Sequence, residues 1–246
     1  MEPSIRMVPS TGAGESAAAH GLVARDAELA LFDAVLARRR PCVLLVKGEA
    51  GMGKTALLEA MQARAAGQGW HIVPSERVEK LSVAPGTTHE TFSRRTRELL
   101  GLAAPGDDTA GAIAPLDCTR RTVHPLVAEF QRRAPMLVLV DGCHATPAFT
   151  DWLAMVLIPE IKAGDAAVVL VLAEREGHFA ILDRFADERI VLGPLDEAAL
   201  KTLLTATSAR LTPPMEADEL GAYVAELTHR PDLLGSLLDV LALAEK

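Results

Sequence analysis

Apolar side chains at Leu29, Phe32, Val35 and Leu36 recur at the three-and-four spacing of an amphipathic helix. They predict one over residues 27–38, closed by the positive charge of Arg38, Arg39 and Arg40 and stopped by Pro41. The next run, Cys-Val-Leu-Leu-Val at 42–46, is continuously apolar and predicts a strand buried on both faces. A glycine-rich turn at 48–53 then delivers the chain into a helix at 54–66. Further strands are predicted at 70–73, 136–140, 167–173 and 189–192, and helices at 88–100 and 119–133, with the Ala-Pro-Gly-Asp-Asp segment and Pro115 between those helices forming an exposed loop. Helices alternating with buried strands imply an α/β fold: a five-stranded parallel sheet covered on both faces.

The pattern changes after Gly193-Pro194. Helices are expected at 196–207, 215–227 and 231–244 with no further strand, so the chain divides into a leader at 1–20, a sheet domain at 21–193 and a helical lid at 194–246. The leader, rich in proline and polar residues, lacks the apolar block of a secretory signal and is read as flexible. No apolar stretch approaches the roughly 18 residues of a membrane span.

Composition narrows the function classes. The chain has 246 residues, 49% of them apolar, enough for one large domain with a sizeable core. Its 33 acidic and 25 basic residues leave a net charge of −8, which argues against a broad nucleic-acid surface and leaves only local basic patches. Cys42, Cys118 and Cys143 are far apart and in no metal-ligand spacing, so neither a disulfide scaffold nor a zinc site is expected, and a reducing cytoplasm fits best.

The chemistry is concentrated in Gly48-Glu-Ala-Gly-Met-Gly-Lys54-Thr55, which matches G-x-x-x-x-G-K-[ST] between a predicted strand and a predicted helix. Small residues at this spacing let successive backbone N–H groups and a helix N-terminus face phosphate oxygens. Gly48, Glu49, Ala50, Gly51, Met52, Gly53, Lys54, Thr55 and Ala56 are therefore the candidate nucleotide contacts, with Lys54 reaching the β and γ phosphates and the Thr55 hydroxyl binding Mg²⁺. Such a site needs a carboxylate at the end of a neighbouring strand, and Asp141 after 136–140 supplies it. The next position, where hydrolysing enzymes of this kind place a second acid to orient water, is Gly142. Glu49 is either solvated or facing a water near the γ-phosphate, and His144 either caps a turn or touches water or nucleotide. The pairs Arg94-Arg95, Arg120-Arg121 and Arg132-Arg133 are read first as solvated or dipole-complementing helix positions.

Three motifs in order carry a resemblance to the STAND-type branch of AAA+ ATPases, found in the large LuxR-type regulators and near the origin-recognition ATPases. Leu22-Val-Ala-Arg-Asp-Ala-Glu-Leu29 resembles the family's L-V-G-R-E-x-E-L box, the phosphate loop is similar to G-E-A-G-I-G-K-T, and Val138-Leu-Val-Asp141-Gly-Cys-His144 resembles L-V-L-D-D-x-H. The likeness runs from about Gly21 to Leu241. It implies an ASCE/AAA+ type P-loop NTPase with a helical lid, binding ATP or ADP with Mg²⁺. It further implies that Val23 and Arg25 lie under the nucleotide base, that Arg175 at the end of Val171-Leu-Ala-Glu-Arg175 reads the γ-phosphate, and that Pro231 of Thr228-His-Arg-Pro231 stands for the lid motif T-G-G-x-P. Lys54 and Arg175 are thus the expected catalytic pair, and Thr55 and Asp141 the metal-side pair.

The departures are Ala24 for the glycine of the first box, Gly142 for the second acid, and the missing lid glycines. Together they imply an ATP-binding regulatory switch with slow or partner-dependent hydrolysis, acting through a protein partner or self-association. No winged helix or DNA-binding helix-turn-helix is expected before the chain ends at Lys246, so it is read as a bare switch module or a fragment. The competing readings are an active AAA+ ATPase assisting DNA transactions, in transposition or replication, and a small-molecule P-loop kinase, which would want an arginine-rich lid.

Overall fold

The computed structural model describes residues 23–73, 87–102, 115–143, 147–175 and 180–244, with only the backbone of 115–122, 180 and 244. The leader at 1–20, the Ala-Pro-Gly-Asp-Asp segment and His144 lie outside the described residues. Five strands form one sheet: β1 (Cys42–Gly48), β2 (His71–Val73), β3 (Met136–Val140), β4 (Val168–Glu174) and β5 (Glu188–Leu192). Their spatial order is β2-β3-β4-β1-β5, and every neighbouring pair is parallel. The expected five-stranded parallel α/β sheet is therefore present.

Parallel strands must be joined by crossovers, and the crossovers cover both faces. On one face lie α1 (Asp26–Ala37) and α2 (Lys54–Gly67), whose Phe32, Leu36, Leu57 and Met61 pack on Leu44, Val46, Val171 and Ala173. On the other lie α3 (His89–Leu99), α4 (Pro115–Arg132), α5 (147–162) and α6 (Ala180–Phe185), around Leu45, Val138, Leu170 and Leu172. Thr88 caps α3 by accepting from the Thr91 N–H at 3.3 Å. Pro115, expected in the loop, instead opens α4, a position where its missing N–H costs nothing.

The sequence pattern missed α5. It runs through Pro147–Trp152, a π-helical turn at Leu153–Leu157 and Ile158–Lys162. Phe149, Leu153, Ala154, Leu157, Ile158 and Ile161 are buried, and the exposed stripe carries Ala148, Met155 and Pro159 beside Asp151 and Lys162, so the polar face that marks a surface helix is blurred. The short α6 was missed as well.

After β5 come α7 (Glu197–Ser208), α8 (Ala217–His229), a 3₁₀ turn at Pro231–Leu233 and α9 (Leu234–Ala244). Asp196 caps α7 by accepting from the Ala199 N–H at 2.8 Å. These helices share their own apolar cluster, with Leu204, Val224, Leu227 and Leu234 at its centre and Val23 and Leu195 packed against it. No helix among the described residues is long and apolar enough to cross a membrane.

Candidate functional site

β1 ends at Gly48, where the chain must turn beside β5. A Cβ on Gly48 would stand 3.0 Å from the Leu192 carbonyl oxygen. Gly51 and Gly53 both have φ of +81°, the left-handed region where only glycine sits without strain, and Gly53 is the residue from which α2 starts. The loop therefore ends with its backbone folded over the N-terminus of α2, the geometry in which N–H groups converge on an anion. Gly51 has a second constraint. A Cβ there would lie 2.5 Å from the Pro231 carbonyl oxygen and 2.7 Å from the Asp232 Cα, because the 3₁₀ turn before α9 rests directly on the loop.

The Lys54 ammonium folds back under this loop and donates to the carbonyls of Gly48 at 2.7 Å and Glu49 at 2.8 Å. Burial lowers its pKa from the ordinary lysine value, with Arg175 pushing the same way and Asp141 opposing. Thr55 Oγ1, in the first turn of α2, donates to Asp141 Oδ2 at 2.7 Å across the end of β3. Arg175, just past the end of β4, brings its Nε to 3.7 Å from Glu49 Oε2, and both side chains are about half exposed. The loop, Lys54, Thr55, Asp141 and Arg175 are thus brought together at the C-terminal edge of the sheet. Gly142 follows Asp141 with φ of +71°, so this position is held in a backbone conformation that resists a side chain.

Arg25 is buried and bridges three segments. Its guanidinium donates to the Gly193 carbonyl at 2.7 Å, to the Met52 carbonyl at 3.2 Å and to Glu28 Oε1 at 3.1 Å. It thereby ties the chain before α1 to the phosphate loop and to the exit of β5.

Between α2 and the last helices lies a cavity of about 380 Å³. Val23, Met52, Ala56, Leu195, Pro231 and Leu234 are among the residues that line it. Arg25, Gly51 and Gly53 reach its edge, so the segments marked by Val23 and Pro231, 208 positions apart, meet at one space adjoining the loop. Sequence reasoning missed Ala60, Ala63, Leu195, Leu200 and Leu234 among its lining. A signal existed for the first two: Ala56, Ala60 and Ala63 form a small-residue stripe at helical spacing.

The donor set fits a nucleotide with a divalent cation. A half-buried lysine is held against the loop by two of its carbonyls at the start of α2, and a hydroxyl–carboxylate pair begins at the next residue. Among the described residues no group of three or more His, Cys, Asp or Glu could hold a metal, so a cation at Thr55 would take most of its ligands from phosphate and water.

A profile of the AAA ATPase domain matches residues 21–246. No curated protein sequence matches the chain. Among solved structures it is similar to a chain of the Drosophila ORC bound to DNA, at 15% identity and a TM-score of 0.54, covering 89% of this chain and 61% of that one. It is similar to a chain of the E. coli MS115-1 HORMA:CdnC:Trip13 complex at 12% identity and 0.53, covering 86% and 76%. It is also similar to Cdc6p from Pyrobaculum aerophilum at 13% identity and 0.51, covering 80% and 57%. At such identities the likeness establishes the fold. The chain spans less than two thirds of the ORC and Cdc6p chains.

Proposed function

The chain belongs to the AAA ATPase domain family, and from that premise we propose that it is a Mg²⁺-dependent ATP-binding switch of the STAND type, regulatory in role and slow in hydrolysis until a partner assists. The observation that carries this reading is the seat of the Pro231–Asp232 backbone on Gly51, which makes the phosphate loop and the helical lid one contact surface. A ligand in the adjoining cavity would touch both bodies at once, so its occupancy would set how they are held.

In this reading the loop N–H groups and Lys54 bind the phosphates, Thr55 takes a place on the cation, and Asp141 holds the cation's water shell. Bound Mg²⁺ would supply charge neutralisation between the β and γ phosphates. Arg175 leaves Glu49 for the γ-phosphate, a more highly charged acceptor that a guanidinium can grip with two hydrogen bonds. The apolar walls around Val23, Ala56 and Leu234 suit the faces of a purine ring. Gly142 offers no carboxylate to orient an attacking water, and general-base help is worth about 10² to 10⁴ in rate. A reducing, cytoplasmic setting fits the buried free thiols of Cys42 and Cys143.

The test is calorimetric titration with ATP and ADP in Mg²⁺, together with single-turnover hydrolysis. Saturable binding of both nucleotides with turnover well below about 1 per second supports the switch. Absence of nucleotide affinity overturns the site, and brisk turnover by the isolated chain overturns the slow-hydrolysis reading. Stimulation by DNA, the ligand named with the ORC structure, would instead favour a DNA-assisting ATPase.

A further inference from the structure

On the face of the sheet turned away from the phosphate loop, an ion cluster lies beneath the candidate site. Lys47 and Glu174 are direct neighbours in the β1–β4 register. By strand alternation both point to the side of Leu45 and Leu172, toward α6. Glu174 is completely buried, and its Oε1 lies 3.4 Å from Lys47 Nζ. The same ammonium donates to Asp183 Oδ2 on α6 at 2.6 Å, and Asp183 Oδ1 is 3.5 Å from Arg189 Nε on β5.

The position of these groups along the chain gives the cluster its interest. Lys47 immediately precedes Gly48, and Glu174 immediately precedes Arg175, whose side chain by the same alternation falls on the opposite face and meets Glu49. Arg189 is on the strand that leads into Gly193, the carbonyl gripped by Arg25. The ends of β1 and β4, which release the loop and Arg175, are therefore tied together on the far side by charges rather than by apolar packing, and Asp183 extends the tie to Arg189 near the start of β5. A buried carboxylate that loses a cation at this distance loses part of its compensation and is pushed toward protonation or water. Either response shifts the end of β4 relative to β1, and a displacement of about 1 Å at a positioned group is enough to lose much of its effect.

We propose that Glu174, held by Lys47, is a positioning residue that sets the reach of Arg175 to the γ-phosphate, so that the pair governs discrimination between ATP and ADP. The inference rests on the reading of Arg175 given above. Its consequence is selective. Removing the pair weakens contacts made to the third phosphate and spares those that Lys54 and the loop make to the first two.

The experiment measures affinity for ADP and for a β,γ-imido analogue of ATP, in Mg²⁺, on the full chain carrying E174Q, K47M, K47R or R175A. The expected result is that E174Q and K47M lose fivefold or more in affinity for the triphosphate analogue and stay within twofold for ADP. K47R, which keeps the charge, stays within twofold for both. R175A shows the same selective loss as E174Q. Should E174Q fail to fold, K47M decides the matter, because Lys47 is partly solvent-accessible and its apolar replacement keeps the stem. The proposal is overturned if E174Q and K47M leave the ratio of the two affinities within twofold of the parent, or lower both affinities alike, while R175A lowers the ratio. If R175A itself leaves the ratio unchanged, the γ-phosphate role of Arg175 falls, and the positioning role falls with it.

Discussion

Thr55 Oγ1 and Asp141 Oδ2 are joined by a 2.7 Å hydrogen bond that closes the gap between the first turn of α2 and the end of β3. The hydroxyl donates its proton to the carboxylate, so both oxygens present lone pairs to the same small volume beside Lys54. Asp141→Asn keeps the shape and removes the negative charge. We expect its Mg²⁺ titration of ATP binding to shift to higher concentration by about tenfold, on the order of 1.4 kcal/mol, with Mg²⁺-free binding little changed. Overlaying titrations of variant and parent would make Asp141 a structural acceptor for Thr55 and nothing more.

Lys54 is folded under the loop by two carbonyls, and burial already disfavours its charge. An anion in the loop would relieve that cost, so a bound nucleotide and the ammonium would stabilise each other. Lys54→Ala is expected to weaken ATP–Mg²⁺ binding by tenfold or more, measured by calorimetry. Unchanged affinity would sink the assignment of the loop.

Gly51 and Gly53 share a φ of +81°, and only Gly51 has the lid backbone against it. Gly53→Ala should carry the left-handed strain alone, about 1 to 2 kcal/mol. Gly51→Ala should carry that strain and also push the Pro231 turn away. In ligand-free protein the melting temperature is therefore expected to fall further for Gly51→Ala than for Gly53→Ala. Equal falls would mean that the lid turn does not rest on the loop in solution.

An acid placed after Asp141 is the obvious way to seek faster hydrolysis, but the backbone opposes it. With φ of +71° at Gly142, any Cβ costs about 1 to 2 kcal/mol, or several degrees of melting temperature in a chain of this size. Gly142→Ala measures this strain without adding a charge. We expect it to melt lower than the parent, and Gly142→Glu to lose stability whether or not its rate rises. A Gly142→Ala variant as stable as the parent would contradict the left-handed conformation.

Glu129 on α4 accepts from both Arg132 and Arg133, and Arg133 also donates to the Leu100 carbonyl at 2.8 Å, tying α4 to the end of α3. The hydrogen bond from Arg132, followed by that from Arg133, pulls the carboxyl from 4.5 down to about 2. A depressed folded-state pKa gives stability that is fully present above the unfolded value near 4.5 and is lost as pH falls toward 2. Glu129→Gln should thus melt below the parent at pH 7, with the gap narrowing steadily below pH 4.5. A gap that is constant with pH would remove the ion pairs as its source.

Much of this protein is encoded locally. The phosphate loop, the strands at 42–46 and 136–140 and the helix after Thr55 each depend on spacing within about a dozen residues, where glycine conformation and side-chain periodicity act directly. The placement of Lys54 under the loop follows from the same short range. The α5 segment escaped because Ala148, Met155 and Pro159 occupy most of its exposed stripe and blur the polar face by which a helix is recognised. What only the tertiary structure decided involves partners far apart in the chain. The order β2-β3-β4-β1-β5 brings Asp141 to Thr55 and Glu174 beside Lys47, and Arg25 finds Gly193 across 168 positions. The seat of Pro231 on Gly51 gives that glycine a second purpose that its turn alone would not reveal. Local propensity acts between neighbours in the chain, whereas these contacts depend on strand order and on how the lid packs, which many distant residues determine together.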